Sequence, residues 1–243
     1  MTGLVLAGTQ ESRELARLLA DDGITAVASL AGATREPKKL DLPTRIGGFG
    51  GVEGMKEFIK NNGIEWVVDT THPFASQIST NCFHACKEMN TRCALLERLP
   101  WNAQTGDDWT EVAVASQAVM QIAEQDVVFL GTGRNTVKDF GDLRAQKTYC
   151  RVIDRPQSDY PRERGEYLVG RPPFSVEQEI ALFERLGITK IIVKNAGGRG
   201  GFAKLEAARE LNIPVILLQR PEVPFTTKLS SVKEAFEWVK AQL

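Results

Sequence analysis

Residues 4–23, LVLAGTQESRELARLLADDG, change their hydrophobic period within a single turn. The run LVLA is apolar, whereas leucines recur at helical spacing from Leu15 to Leu19. This change across Gly8 and Thr9 predicts a strand, a tight turn and a helix. The first N–H groups of such a helix have no partner within the helix, so they face whatever lies beyond the turn. That position suits a phosphate group.

Strand and helix patterns continue to alternate along the first hundred residues. Strand patterns follow at 25–30, 45–46, 66–68 and 94–96, with helical patterns at 52–61 and 74–89. Strands that alternate with helices pair in parallel, and the helices cover both faces of the sheet. The pattern therefore predicts a doubly wound α/β sheet.

The alternation breaks at residues 98–109, RLPWNAQTGDDW, a composition typical of a domain junction. Beyond it, strand patterns follow at 126–133, 148–152, 190–198 and 213–221, and helical patterns at 116–124, 176–186, 202–211 and 232–243. We predict an α/β fold of two Rossmann-like domains, residues 1–98 and 99–243, with mainly parallel sheets. A substrate is expected in a cleft between them, facing the carboxyl ends of both sheets.

The charges of the chain nearly cancel. Its 243 residues include 30 Lys and Arg against 31 Asp and Glu, so no global field attracts nucleic acid or an anionic membrane. The first residues lack the features of a signal peptide, and no run approaches the roughly 18 apolar residues of a membrane span. We expect a cytoplasmic protein, a monomer or weak dimer, that binds neither nucleic acid nor membranes.

Two cysteines one helical turn apart, Cys82 and Cys86, flank His84 and raise the possibility of a zinc site. This spacing lacks the paired ligands of structural zinc. The same cysteines extend an apolar stripe that includes Ile78 and Met89, and free Cys commonly serves as a small core residue. The core interpretation is favoured, and we expect no metal.

Four strand ends in the first half carry candidate cofactor contacts. The opening turn departs from G-x-G-x-x-G, and capping of the helix by Thr9 is an equally good explanation of it. The second strand ends in Ser29 without a carboxylate; Ser29 and Arg35 fit the 2′-phosphate of NADP better than the ribose hydroxyl of NAD. The glycines of RIGGFGG, residues 45–51, permit close approach of a ligand. The predicted contacts are Gly8, Thr9, Gln10, Ser29, Arg35, Gly48, Phe49, Gly50, Gly51 and Thr71.

The stretch VVDTTHPFA, residues 67–75, ends another apolar strand where open α/β sheets bind ligands. Three roles for His72 stay open: a proton donor, a hydrogen-bond partner of a nicotinamide amide, or a helix cap.

Basic residues accumulate at the strand ends of the second half. Residues 127–174 contain nine Lys or Arg and six Asp or Glu. Arg134, Arg151 and Lys194 fall at predicted strand ends, which fits a carboxylate-rich ligand. We expect Arg134, Arg151, Asn195, Gly197 and Gly198 to contact that ligand.

Two enzyme classes are disfavoured by missing residues. The residues four positions after Tyr149, Tyr160 and Tyr167 are not lysines, so the Tyr-x-x-x-Lys pair of short-chain dehydrogenases is absent. No Lys directly follows a G-x-x-x-x-G loop, so nucleotide hydrolysis has no support.

The ordered segments AGTQESRELA, SLAGAT, RIGGFGG, DTTHPFA, LERLPW, GTGR, RVID and KNAGGRGGFAKLEAARELNIPV resemble the precorrin-6A reductase family of corrin biosynthesis, including its cobalt-precorrin-6A form. The resemblance spans nearly the whole chain. It implies two Rossmann-like domains and NADPH-dependent reduction of one double bond of a tetrapyrrole. Ala7 and Ala33 depart from the usual family pattern.

The reaction implied by this resemblance also needs a proton, for which His72, Lys194, Lys204 and solvent are the candidates. No metal or covalent nucleophile is required. Two other functions stay open: an NADP-dependent reductase of another anionic substrate, and an NADP-binding redox sensor without turnover.

Overall fold

Parallel pairing organises both six-stranded sheets of the computed structural model, which describes residues 1–32 and 38–243. The strands are β1 (Thr2–Leu6), β2 (Ala26–Leu30), β3 (Thr44–Ile46), β4 (Ile64–Asp69), β5 (Arg92–Leu96), β6 (Trp109–Val112), β7 (Val127–Gly131), β8 (Lys147–Val152), β9 (Gly165–Val169), β10 (Lys190–Lys194), β11 (Val215–Leu218) and β12 (Lys228–Leu229). The helices are α1 (Gln10–Asp21), α2 (Val52–Asn61), α3 (Ser76–Glu88), α4 (Ala115–Val119), α5 (Val176–Leu186), α6 (Ala203–Glu210) and α7 (Val232–Lys240), with a 3₁₀ helix at Arg134–Phe140.

The strand order of each sheet reverses near its centre. The first sheet runs β3-β2-β1-β4-β5-β12, and the second runs β9-β8-β7-β10-β11-β6. Successive crossovers therefore lie on opposite sides of β1 and of β7, and in folds of this kind ligands bind at the carboxyl edge beside such a reversal. The prediction of two Rossmann-like α/β domains is confirmed.

The chain divides into a first unit, residues 1–99 and 221–243, and a second unit, residues 100–220. The predicted assignment of the last segment to the second domain is therefore wrong. Strand β12 pairs in parallel with β5, and Val232, Ala235 and Val239 of α7 pack into the same buried cluster as Leu15 and Leu19 of α1. The last segment belongs to the first unit because the apolar face of α7 is buried in the first core.

A separate core supports the second unit. Phe129 of β7 and Phe183 of α5 stack edge to face, with ring centroids 5.1 Å apart. Ile191, Val193 and Leu205 complete the centre of this cluster. Each unit thus has its own buried apolar interior.

Three strands and one helix were not predicted. Strands β6 and β9 form the edges of the second sheet, β12 forms an edge of the first, and the 3₁₀ helix follows β7. Edge strands are short and partly exposed, so their pairing rather than a hydrophobic run specifies them. Helix α4 also ends earlier than the predicted 116–124.

Among the described residues, no helix has the length and apolar character needed to cross a lipid bilayer.

A glycine in β1 makes room for the largest side chain of the first core. Gly3 is paired with Trp66 of β4, whose indole is fully buried. A Cβ atom on Gly3 would lie 2.0 Å from the indole ring. Such a distance is far inside van der Waals contact, so the two strands cannot accept a side chain here without moving.

We predict that Gly3→Ala lowers the free energy of unfolding by about 1–3 kcal/mol, because the added methyl overpacks the core. Urea denaturation followed by tryptophan fluorescence measures this change. Gly200→Ala is the matched control, since a Cβ there meets no atom within 4 Å. Equal stability of Gly3→Ala and the wild type would contradict the steric explanation.

Candidate active site

Thr9 ties together the two loops at the reversal point of the first sheet. Its hydroxyl donates to the carbonyl oxygen of Thr70 at 2.9 Å and accepts from the N–H of Ser12 at 3.2 Å. The Ser12 hydroxyl oxygen in turn accepts from the N–H groups of Gly8 and Thr9, each at 3.1 Å. These bonds fix the turn after β1 against the turn after β4.

The start of α1 keeps hydrogen-bond donors available. Thr9 is the N-cap, and no acceptor among the described residues receives the backbone N–H groups of Gln10 and Glu11. Gly8 has no atom within 4 Å of the position that its Cβ would take. Free N–H groups beside an open glycine fit a phosphate. Capping by Thr9 and phosphate binding therefore coexist, because capping uses only the Ser12 N–H.

The loop after β4 is anchored by a buried carboxylate. Asp69 is fully buried, and its Oδ1 accepts from the N–H of Thr71 at 2.9 Å. Burial raises the pKa of the Asp69 carboxyl above its ordinary value. Thr71 is half-buried beside it, and its hydroxyl lies 3.4 Å from that of Ser79. The sequence places Asp69 at a strand end where ligands bind, whereas its anchoring of the loop follows from its burial.

His72 is exposed at the tip of the same loop. Its Nδ1 accepts from the N–H of Phe74 at 3.2 Å, and its carbonyl accepts from Ala75 at 2.7 Å. The imidazole thus contributes to the turn that precedes α3. The N-cap of α3 is Ala75, so this contact belongs to the preceding turn, and the three roles predicted for His72 stay predictions.

Arg45 joins the carboxyl end of β2 to the loop of residues 47–51, GGFGG, which is called the glycine-rich loop below. Its Nη1 donates to the Ser29 hydroxyl at 2.7 Å and to the Gly47 carbonyl at 2.9 Å, and its Nη2 donates to the Gly48 carbonyl at 3.0 Å. The guanidinium carbon lies 4.1 Å from the ring centroid of Phe49. The sequence analysis treated this residue only as part of a strand. Arg35, predicted to contact the cofactor, lies outside the described residues.

The remaining glycines of the loop have open surroundings. Gly50 and Gly51 have φ values of +79° and +96°, and a Cβ on either would meet no atom within 4 Å. A side chain is therefore excluded here by backbone conformation and not by neighbouring atoms. The predicted cofactor contacts within the described residues all belong to the first unit and follow β1, β2, β3 and β4.

The Asn195 side chain fixes the backbone near the first residue of the second unit. Its Oδ1 accepts from the N–H of Trp101 at 2.8 Å, and its Nδ2 donates to the carbonyl of Trp101 at 3.0 Å. The Trp101 indole N–H donates to the carbonyl of Gly198 at 2.7 Å. The amide of Asn195 is thus used within the protein, which argues against its predicted contact with substrate.

Arg151 also has an internal partner. Its guanidinium forms two hydrogen bonds, of 2.5 and 2.7 Å, to the buried carboxylate of Glu179 on α5. It also lies 4.2 Å from the ring centroid of Phe174. A bidentate pair of this kind satisfies both charges. Arg151 therefore has a scaffold role, and its contact with substrate stays a prediction.

Two lysines lie near the reversal point of the second sheet. Lys194 ends β10 and is half-buried, and burial lowers the pKa of its amine. Lys204 on α6 donates to the carbonyl of Gly201 at 2.5 Å, and its Cδ lies 3.5 Å from where a Cβ of Gly131 would be. Burial lowers the pKa of the Lys204 amine to about 8, opposed by Glu179 and aided by Arg151. Its protonated and neutral forms therefore coexist near neutral pH.

The other predicted substrate contacts of the second unit lie at the carboxyl edge of the second sheet. Arg134 is exposed at the first position of the 3₁₀ helix after β7. Gly197 and Gly198 have φ values of +68° and +70° in the turn after β10. Arg220, which the sequence analysis missed, follows β11 and donates to the carbonyl of Asn195 at 2.8 Å. Its position after an apolar strand was the available signal.

The cysteines belong to the interior. Cys82 and Cys86 are fully buried in the core cluster of the first sheet, and their sulfur atoms are 4.0 Å apart. Among residues 1–32 and 38–243, no group of three or more His, Cys, Asp or Glu side chains is arranged to hold a metal ion. The thiols contribute apolar packing.

Fold and site together define a doubly wound α/β protein with two Rossmann-like units, the first of which has backbone N–H groups without an acceptor, among the described residues, at the start of α1. A family model for precorrin-6x reductases, CbiJ/CobK, matches residues 3–240. The chain belongs to this family.

Relatives match over nearly the full length. The precorrin-6A reductase of Rhodobacter capsulatus is 40% identical over 237 residues, which cover 97% of this chain and 94% of the relative. The cobalt-precorrin-6A reductase of Priestia megaterium is 30% identical and covers 95% of each chain. A solved structure of CobK precorrin-6A reductase has a TM-score of 0.94 at 39% identity, covering 100% of this chain and 97% of that one.

We predict that Thr9→Ala lowers the free energy of unfolding by about 2 kcal/mol, because it removes the cap of α1 and leaves the Thr70 carbonyl without its hydroxyl donor. Thr9→Ser keeps the hydroxyl and should stay within about 1 kcal/mol of the wild type. Urea denaturation measures both. A serine variant as unstable as the alanine variant would show that the methyl group, not the hydroxyl, is responsible.

Proposed function

We propose that this protein reduces one double bond of the precorrin-6A macrocycle with NADPH, a step of cobalamin biosynthesis. The observation that carries the proposal is the match to reductases over nearly the whole chain. Relatives named precorrin-6A reductase are 36–40% identical, whereas those named cobalt-precorrin-6A reductase are 26–30% identical. Metal-free precorrin-6A is therefore the substrate to test first.

The residues of the first unit fit a dinucleotide. The free N–H groups at the start of α1 suit a pyrophosphate, and Gly8 leaves room for it. Thr71 and His72 follow β4, on the other side of the reversal point, where a nicotinamide is held in doubly wound sheets. NADPH, when bound, supplies the hydride. The protein contributes binding, orientation and exclusion of water.

The second unit offers cations and backbone donors for a macrocycle with many carboxylates. Arg134 and Arg220 follow β7 and β11, and Lys194 ends β10 between them, so all three lie at the carboxyl edge of the sheet. Gly197 and Gly198 allow the chain to pass close to a flat ligand. Several separated charges orient an anionic ring better than one, because each fixes a different carboxylate.

Lys204 is the proposed proton donor among the three candidates. A general acid works best when its pKa lies near the working pH, and burial brings the pKa of this amine to about 8. Its hydrogen bond to the Gly201 carbonyl fixes the direction of the amine. Lys194 and His72 remain alternatives, the first half-buried and the second exposed.

The proposal is tested by mixing the purified protein with NADPH and precorrin-6A under anaerobic conditions. We expect nicotinamide absorbance to fall only when all three components are present. NADPH binding without consumption would instead support the redox sensor. Consumption with another anionic substrate, but not with precorrin-6A, would support the second reductase alternative.

We predict that Lys204→Met lowers kcat by a factor of about 10² to 10⁴, the usual contribution of a general acid. Since only the protonated amine donates, the wild-type kcat should fall as the pH rises through about 8. The methionine variant should lack this inflection. Steady-state rates from about pH 6 to about pH 10 measure both effects, because this interval spans the expected inflection and reaches the ordinary lysine value.

Lys138→Met is the matched control, because Lys138 is an exposed lysine of the same unit. It should keep the wild-type rate and profile. An unchanged inflection in Lys204→Met, with a lost inflection in Lys194→Met or His72→Gln, would transfer the role to that residue.

A further inference from the structure

We propose that Arg45, assisted by Ser29, selects NADP(H) over NAD(H) by binding the 2′-phosphate of the adenosine ribose. This inference rests on the proposed function, since it assumes that the first unit binds a dinucleotide. It assigns a specificity-determining role to a residue whose sequence context shows only a short strand.

The position of Arg45 follows from strand register. Strands β2 and β3 pair in parallel, with Ser29 opposite Arg45 and Leu30 opposite Ile46. Both residues therefore lie at the carboxyl ends of adjacent strands. In doubly wound sheets, the group at the tip of the second strand meets the adenosine ribose. Arg45 reaches this tip from the neighbouring strand, because its Nη1 lies 2.7 Å from the Ser29 hydroxyl.

The charge at this tip is positive and is balanced by no carboxylate among the described residues. Within residues 1–32 and 38–243, the Arg45 guanidinium donates to a hydroxyl and two carbonyl oxygens, all neutral. Three of its five N–H donors are used in these bonds. A carboxylate at this place would repel a phosphate and accept the hydroxyls of an unmodified ribose. An arginine beside a serine does the reverse and favours a phosphate.

The guanidinium is held before any ligand arrives. It stacks on Phe49 at 4.1 Å and lies 5.2 Å from the ring centroid of Phe58, and these two rings meet edge to face at 5.3 Å. Two carbonyls of the glycine-rich loop, Gly47 and Gly48, fix its plane from another side. A donor fixed in this way loses little conformational entropy on binding, so more of its attraction appears as affinity.

The same contacts suggest a simpler role, in which Arg45 only shapes the glycine-rich loop. The two roles predict different losses. A loop defect weakens every dinucleotide alike, because the pyrophosphate and both nucleosides are shared by NADP⁺ and NAD⁺. Loss of a 2′-phosphate contact weakens NADP⁺ alone.

Titration calorimetry of the full-length protein with NADP⁺ and with NAD⁺ distinguishes them. We expect the wild type to prefer NADP⁺. Arg45→Met should weaken NADP⁺ about 10- to 100-fold, as expected for a lost charge-assisted hydrogen bond, and change NAD⁺ less than about 3-fold. Arg45→Lys keeps the charge without the fork of donors and should restore part of the preference. Ser29→Ala should weaken NADP⁺ about 3- to 10-fold.

Arg17→Met is the control, since Arg17 is an exposed arginine of the same unit that pairs with Asp21. Equal losses for both dinucleotides in Arg45→Met would overturn the inference in favour of loop shaping. An unchanged preference in Arg45→Met, with a lost preference in Arg35→Met, would overturn it in favour of Arg35. Failure of the wild type to bind either dinucleotide would overturn the proposed function itself, a result separate from the other two.

Discussion

The hydrogen bond from the Thr9 hydroxyl to the Thr70 carbonyl joins the loops after β1 and β4, where the strand order of the first sheet reverses. Strand order reverses between β1 and β4, so their crossovers leave on opposite sides and the two loops would otherwise separate. The same hydroxyl caps α1, which sets the direction of the helix start relative to the loop after β4. Because Thr9 and Thr70 are buried, loss of this bond would leave a polar group without water. The position of the first α1 N–H groups relative to the loop after β4 therefore depends on this bond.

In the second unit, other side chains hold the loops and helices in place. Asn195 clamps the backbone of Trp101, and Arg151 pairs with buried Glu179. A buried charge is costly unless its partner satisfies it fully, and the two parallel hydrogen bonds between Arg151 and Glu179 meet that condition. Residue types that resemble ligand contacts in the sequence are therefore used by the scaffold. Arg134 and Lys194 lie at the carboxyl ends of β7 and β10, two neighbouring strands of the same sheet.

The sequence predicts the parts of the fold whose own residues specify them. Long apolar strands such as β4 and β10 and the amphipathic helix α1 follow from local periodicity. The short edge strands β6, β9 and β12 do not, because their structure depends on the strand beside them. In the site, the glycine turns were visible, since glycine marks unusual backbone. The roles of Arg45, Arg151 and Asn195 were not visible, because each depends on partners that are distant in the chain: 16 residues away for Arg45 and Ser29, and 28 for Arg151 and Glu179.

Arg45 and Lys204 lie in different surroundings, and the difference fits the role proposed for each. Among the described residues, Arg45 in the first unit donates only to neutral acceptors, which fits the phosphate contact proposed for it. Lys204 in the second unit is desolvated until the pKa of its amine is about 8, so its proton is held loosely enough to be given up. Arginine cannot serve the second purpose, because its pKa stays far above neutral even when buried. Binding and proton transfer thus require different cations, and burial decides how each one behaves.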